Sequence, residues 1–164
     1  TYPLPEAQLD RFFLKLTIGY PDKGQESEIL ERYGSSNPMK ELKPVSSPSD
    51  ILKLQEQAKS VHVEEALKGY IVDIIEQTRK SEFVVLGASP RGALALYRGS
   101  QARAAIVGRD YVIPDDVKAL AEVTLAHRII IGPNARIKDV SSSSIVHSIL
   151  NTVPIPGATV GARF

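Results

Sequence analysis

An apolar pattern between residues 63 and 78 constrains the fold more than any other feature of this chain. Its apolar residues recur at intervals of three and four, the spacing that places side chains on one face of an α-helix. These residues are Val63, Ala66, Leu67, Tyr70, Ile71, Ile74 and Ile75. We therefore predict a helix over 63–78 with one face turned to a core, although Gly69 within it costs about 1 kcal/mol relative to alanine.

The flanking residues predict further helices. Ser89 is a favourable N-cap and Pro90 a favourable first residue for a long helix over 89–107, which Gly108 ends. Its expected packing side is Ala93, Leu94, Tyr97, Gln101, Ala104 and Ala105. Another helix begins at Pro114, where the following acidic residues complement the helix dipole. Shorter helices are predicted over 22–33, 51–58 and 141–151.

One segment departs from the helical pattern. Residues 12–18 read Phe-Phe-Leu-Lys-Leu-Thr-Ile, and their partial alternation predicts a single β-strand. A lone strand cannot satisfy its backbone N–H and C=O groups, so it either pairs with a sheet outside this chain or lies in another arrangement. We expect residues 1–20 to pack poorly against the helices or to pair with another copy. Extensive burial of Phe12, Leu14 and Leu16 in the helical core would contradict this expectation.

Composition narrows the functional classes. Lysine plus arginine number 20 and aspartate plus glutamate 19, and a net charge of +1 does not favour a protein that binds a nucleic-acid backbone. The chain has no cysteine, which excludes disulfides and thiolate metal sites, and its three histidines lack metal-ligand spacing. No apolar run approaches the roughly 20 residues that span a bilayer. We expect a cytoplasmic protein without a membrane span.

Two arginines, Arg11 and Arg91, stand in contexts that present them to a ligand. A guanidinium is always charged, and its planar donors match phosphate oxygens. Arg91 lies where the long helix is predicted to begin, beside free N–H groups and the positive end of the dipole. A cation there is unfavourable unless an anion binds, which indicates a phosphate site. The alternative is that both are surface residues, with Arg11 paired to Asp10 or Glu6.

Two motifs carry a resemblance to a known family. Residues 2–12, Tyr-Pro-Leu-Pro-Glu-Ala-Gln-Leu-Asp-Arg-Phe, resemble the segment that follows the sensor 1 strand in MoxR-family AAA+ ATPases. Residues 86–96, Leu-Gly-Ala-Ser-Pro-Arg-Gly-Ala-Leu-Ala-Leu, resemble their sensor 2 helix. Residues 108–117 and 125–129 are similar to the start and end of the next helix. Order and spacing agree from residue 2 to about residue 131, which makes the combination specific although each motif alone is weak.

The resemblance implies a fold and a domain organisation. The fold would be mainly α, a helical-bundle AAA+ lid domain preceded by one orphan β-strand from the end of the α/β ATPase core. Residues 1–20 would be the C-terminal remnant of that core, 21–153 the lid with sensor 2, and 154–164 a tail. The Walker A loop and the Walker B strand would lie upstream of Thr1, because no Gly-Lys-Ser/Thr loop occurs here.

The resemblance also implies roles for residues. Arg11 would be the catalytic arginine finger that reaches a neighbouring subunit's γ-phosphate. Arg91 would bind the nucleotide as sensor 2, with Ser89 and Pro90 beside it. ATP and Mg²⁺ would be cofactors of the full-length parent, with none expected on this chain alone. The parent would form a homo-oligomer, expected to be a hexameric ring, that remodels or matures an unidentified client protein.

Alternatives stay open at this point. Asp10 either orients Arg11, bridges subunits, or forms a cap or a plain ion pair. The whole chain could instead be a non-enzymatic helical module that presents a groove to a partner helix. A helix-turn-helix DNA binder is a third class, which the near-neutral charge disfavours.

Overall fold

The computed structural model describes residues 2–35 and 37–157, and their regular structure is mainly helical. The α-helices are α1 Glu6–Leu9, α2 Lys23–Ser35, α3 Pro48–Ser60, α4 Glu65–Lys80, α5 Pro90–Ile106, α6 Pro114–Leu125, α7 Pro133–Ile137 and α8 Ser142–Thr152. Short 3₁₀ helices span Pro38–Glu41 and Ala126–Arg128, and the strands are β1 Val84–Leu86 and β2 Ile130–Ile131. The predicted mainly α fold is confirmed.

Helix α4 supplies a large part of the hydrophobic core, as its apolar periodicity predicts. The predicted face is buried at Val63, Leu67, Tyr70, Ile71, Ile74 and Ile75, whereas Ala66 is exposed. This face packs against α5, α8 and β1, and α5 packs in turn along α6. Burying one leucine or isoleucine contributes about 1.5–3 kcal/mol, so this face alone is a major source of stability.

Helix α5 departs from its predicted packing side at Leu94. Leu94 is 56% exposed, whereas Leu96 is fully buried. A Cβ added at Gly99 would lie 3.0 Å from Leu120 Cδ1, so α6 approaches α5 very closely there. The prediction for Leu94 is wrong because apolar periodicity counts large side chains, while this helix buries a face that contains glycine.

The two strands form a short antiparallel pair. Val84 pairs with Ile131 and Leu86 with Ile130, and the Gly132 N–H donates to the Phe83 carbonyl at 2.8 Å. The pairing places the residues before α5 beside those that follow the 3₁₀ helix Ala126–Arg128.

The predicted strand over residues 12–18 does not form a ladder. The Lys15 N–H of this segment donates a hydrogen bond to the Val123 carbonyl at 2.9 Å. A strand needs a neighbouring strand to pair along its length, and the described residues offer none here. Phe12 and Leu16 remain exposed, and Leu14 is half-buried. This agrees with the expectation that the segment packs poorly against the helical core.

The chain divides into two compact units, Thr1–Lys15 with Gln55–Phe164, and Leu16–Leu54. The first unit contains the hydrophobic core. In the second, none of the described residues is buried. The predicted domain boundaries after residues 20 and 153 stay predictions, and residues 158–164 of the predicted tail lie outside the described residues. No described helix has the length and apolar character to cross a membrane.

Candidate nucleotide-sensing site

The N-terminus of α5 is capped as the sequence predicts. Ser89 has extended backbone angles, and its Oγ accepts a hydrogen bond from the Arg91 N–H at 3.1 Å. Pro90 occupies the first helical position, where its missing N–H costs nothing. The Arg91 side chain is 58% exposed at this end of the helix. A cation beside the positive end of the dipole is therefore open to a ligand.

Helix α4 anchors the loop that leads into this N-terminus. The buried Thr78 hydroxyl donates to the Ile75 carbonyl at 2.6 Å and accepts from the Ala88 N–H at 2.9 Å. The Arg79 Nε donates to the Ala88 carbonyl at 3.0 Å. A Cβ at Gly87 would lie 2.7–2.8 Å from Arg79, including its backbone, so only glycine fits. These contacts fix where α5 begins, and hence where Arg91 projects.

Asp10 brings the two distant motifs together. It caps the C-terminus of α1, and its carboxylate accepts from the Ser89 hydroxyl, with Oγ–Oδ distances of 2.9 and 3.0 Å. The Arg91 Nη1 lies 3.8 Å from Asp10 Oδ2. Ser89 thus links the cap of α5 to the segment that carries Arg11. Of the alternatives open for Asp10, these contacts favour an ion pair shared between the motifs within one chain.

Arg128 is a site residue that sequence reasoning missed. Its side chain is 2% exposed, and its Nε lies 3.4 Å from Asp10 Oδ1. Its terminal nitrogens donate to the carbonyls of Asp10 at 3.3 Å, Phe12 at 2.5 Å, Phe13 at 3.3 Å and Thr124. Burial lowers the pKa of the Arg128 guanidinium, and Asp10 opposes that effect. The only sequence signal was its place in the family-like segment 125–129.

His127 lies beside this guanidinium. Its Nε2 is 3.2 Å from the Phe12 carbonyl, and its Nδ1 is buried without a hydrogen-bond partner in the described part of the chain. Burial lowers the pKa of His127, the Phe12 hydrogen bond raises it, and the positive charges of Arg128 and Lys15 lower it further. The Arg128 Nη1 lies 3.1 Å from the same Nε2. Since a guanidinium can only donate, Nε2 either accepts from Arg128 or, when it carries the proton, donates to the Phe12 carbonyl.

Arg11 is exposed, in contrast to Arg128. Within residues 2–35 and 37–157 its guanidinium has neither an ion pair nor a hydrogen bond, although Asp10 is adjacent in sequence. The pairing with Asp10 or Glu6 does not form within these residues, whereas the exposure of Arg11 is what the surface-residue alternative also predicts. The structure holds the backbone on both sides of Arg11 and leaves its charge available.

A cleft of about 940 Å³ adjoins these residues. One wall is apolar and comes from the strands and from α1, and the other contains the cap of α5. Its lining includes Leu9, Asp10, Leu86, Ser89, Arg128 and Ile131. An apolar wall next to guanidinium groups suits a ligand with a flat apolar part and an anionic part.

Comparison with known proteins identifies the class first. Residues 76–149 match the family described as "AAA lid domain". The crystal structure of a candidate ATPase from Cytophaga hutchinsonii superposes with a TM-score of 0.87 and 34% identity, over 94% of this chain and 49% of that one. The fold is therefore that of an AAA+ lid with its flanking segments.

Curated relatives then identify the family. YeaC of Bacillus subtilis, an uncharacterized protein, is 44% identical over 95% of this chain and 49% of its own length. Chaperone MoxR1 of Mycobacterium tuberculosis is 38% identical over 94% of this chain and 43% of its own length. The chain belongs to the MoxR family of AAA+ ATPases, as its motifs predict. It spans about half the length of these relatives.

Proposed function

We propose that this chain is the sensing and lid portion of an ATP-hydrolysing, ring-forming MoxR-type ATPase. Arg91, with Ser89 and Pro90 at the start of α5, binds the phosphates of ATP. Arg11 reaches the γ-phosphate of a neighbouring subunit. The observation that carries the proposal is the contrast at Asp10 and Arg11: Asp10 is tied to the cap of α5, while Arg11 beside it is exposed and unpaired within the described chain.

The chemistry assigned to the two arginines is electrostatic. As water attacks the γ-phosphoryl group, negative charge spreads over its oxygens, and a guanidinium offsets that charge. An arginine finger contributes a factor of roughly 10³–10⁵ in rate. The described residues hold no cluster of carboxylates or histidines suited to a metal ion. We expect Mg²⁺ to be held by ATP and by residues outside the described part of this chain.

The chain alone is expected not to hydrolyse ATP, since it contains no phosphate-binding loop. In the full-length protein, lid movement would be coupled to remodelling or maturation of client proteins in the cytoplasm, in a homo-oligomer that we expect to be a hexamer. The chaperone role rests on MoxR1, whose name describes a chaperone.

The test is ATP turnover by the full-length protein, with Arg11→Ala and Arg91→Ala compared with wild type at matched oligomeric state. We expect either change to lower kcat by at least about 10²-fold, because each removes a cation from the phosphates. Arg98→Ala is the matched control, since Arg98 is an exposed arginine further along α5. Unchanged turnover in both variants would reject the roles of Arg11 and Arg91, whereas a wild-type protein without ATP turnover would favour the non-enzymatic helical module.

A further inference from the structure

We propose that Arg128 is a positioning residue that holds Arg11 in place, and that Asp10 ties this arrangement to the start of α5. The inference rests on the proposed function of Arg11 as an arginine finger. It identifies the residue that keeps this finger in position. Arg128 acts through the backbone of residues 10–13, which we call the finger segment.

The contacts of Arg128 surround Arg11 in sequence. Its guanidinium donates to the Asp10 carbonyl on one side of Arg11 and to the Phe12 and Phe13 carbonyls on the other. One rigid, planar group therefore fixes the backbone on both sides of the residue that must reach outward. Lysine offers three donors from one point and cannot make this set of contacts.

Apolar packing holds the same segment only in part, at the Phe13 ring, whose Cζ would lie 3.6 Å from a Cβ added at Gly99 of α5. Phe12 and Phe13 are 53% and 47% exposed, and the backbone makes no strand ladder there. A buried cation carries a large desolvation cost, which only well-placed acceptors offset. In Arg128 those acceptors are mainly backbone carbonyls of the finger segment. The hydrogen bonds from Arg128 therefore order the finger segment more than its partly exposed apolar side chains do.

Asp10 connects this support to the sensor helix. Its carboxylate lies 3.4 Å from the Arg128 Nε and accepts from the Ser89 hydroxyl that caps α5. The Arg91 Nη1 lies 3.8 Å from the same carboxylate. A shift at the start of α5 must therefore either carry Asp10 with it or break the bond to Ser89. The position of Arg11 consequently depends on the helix that carries Arg91.

The first test is epistasis in ATP turnover by the full-length protein. Arg128→Gln should lower kcat by at least about tenfold while the KM for ATP changes by less than about twofold, because the variant's own nucleotide contacts remain. Arg128→Lys should recover only part of the loss. The double variant Arg11→Ala/Arg128→Gln should be no slower than Arg11→Ala, since a support has no effect once the finger is gone. Arg98→Gln is the control.

The outcomes separate this inference from the proposed function. If Arg11→Ala abolishes turnover while Arg128→Gln matches wild type, the role of Arg128 is rejected and the finger stands. If the double variant loses activity by the product of the two single effects, Arg128 acts independently of Arg11, and the inference is also overturned. If Arg11→Ala retains full turnover, the proposed function fails, and this inference fails with it.

A second measurement reports position without turnover. This chain has no cysteine, so Arg11→Cys creates one labelling position in it, and any cysteine elsewhere in the full-length protein can be replaced. A nitroxide at residue 11 should become more mobile in the Arg128→Gln background and stay unchanged with Arg98→Gln. Asp10→Asn, which keeps the size of the side chain, should give a smaller increase in nitroxide mobility. This variant replaces Arg128→Gln in the test if Arg128→Gln does not fold. Equal spectra in all backgrounds would overturn the inference.

Discussion

The two ends of α5 are each held by an arginine and an aspartate, but the two pairs differ in which partner is buried. At the C-terminal end, Asp116 is 2% exposed, and Arg109 contacts its two oxygens at 2.6 and 2.8 Å. At the N-terminal end, Arg128 is the buried partner, and the Asp10 side chain is 21% exposed. The first carboxylate is enclosed, whereas the second keeps a solvent-facing side.

The surroundings of Asp116 explain its structural role. It accepts from the Ile113 N–H at 3.0 Å, which caps α6, and the Arg103 Nε lies 3.4 Å away. Burial opposes its ionisation, but the bonds from Arg109 and Ile113 and the charges of Arg109 and Arg103 outweigh that effect and lower the pKa of Asp116. Asp10 instead divides its oxygens among partners from different elements. An enclosed carboxylate thus fixes two helices, while an open one can exchange partners.

The largest expected effect tests the enclosed pair. Asp116→Asn should lower the free energy of unfolding by about 3 kcal/mol, because it leaves two guanidinium groups without their carboxylate. Chemical denaturation measures the change. Asp115→Asn is the matched control, since Asp115 is exposed and should change stability by less than about 0.5 kcal/mol. Equal effects of the two variants on the free energy of unfolding would show that Asp116 has no special structural role.

The next effect concerns the loop before α5. Thr78→Val should cost about 2 kcal/mol, because the buried Ala88 N–H loses its acceptor. Thr78→Ser keeps the hydroxyl and should cost clearly less, so the difference between the two variants isolates the hydrogen bond. Denaturation curves that coincide for valine and serine would show that the anchor is not the hydroxyl.

Asp10→Asn should have a smaller effect on stability, about 1 kcal/mol, because an amide oxygen can still accept from Ser89 and the buried Arg128 keeps its backbone carbonyl acceptors. The same denaturation experiment measures it beside Asp116→Asn. A loss as large as that of Asp116→Asn would break the contrast between the two ends of α5. A small loss of stability together with a large loss of ATP turnover would support a functional role for Asp10 and a structural role for Asp116.

The smallest effect is a pH dependence at His127. Its folded-state pKa is lowered below the ordinary value of 6.5, so the unfolded chain binds the proton more readily. Stability should therefore fall as the pH drops through about 6.5 and level off below the folded-state pKa. Asp10 attracts the proton, while Arg128 and Lys15 repel it. Thermal unfolding from pH 7.5 to pH 5 should show a shallower decline in His127→Asn than in the exposed control His147→Asn.

The local sequence determined where the main helices form, because helix formation depends on residues that are close in sequence. The spacing of apolar residues set the buried face of α4, and Ser89 with Pro90 set the first turn of α5, since a cap depends on neighbours within three residues. The motifs around Arg11 and Arg91 likewise identified the family. These features required no knowledge of what the helices pack against.

Tertiary structure alone decided how the candidate site is assembled. A strand over residues 12–18 failed to form because pairing requires a partner strand that local preference cannot supply. The bonds that join Asp10 to Ser89 and Arg128 connect residues about 80 and 118 positions apart, so no periodicity announces them. Arg128 read as an ordinary residue at a helix end, and only folding placed its guanidinium against the backbone that carries Arg11.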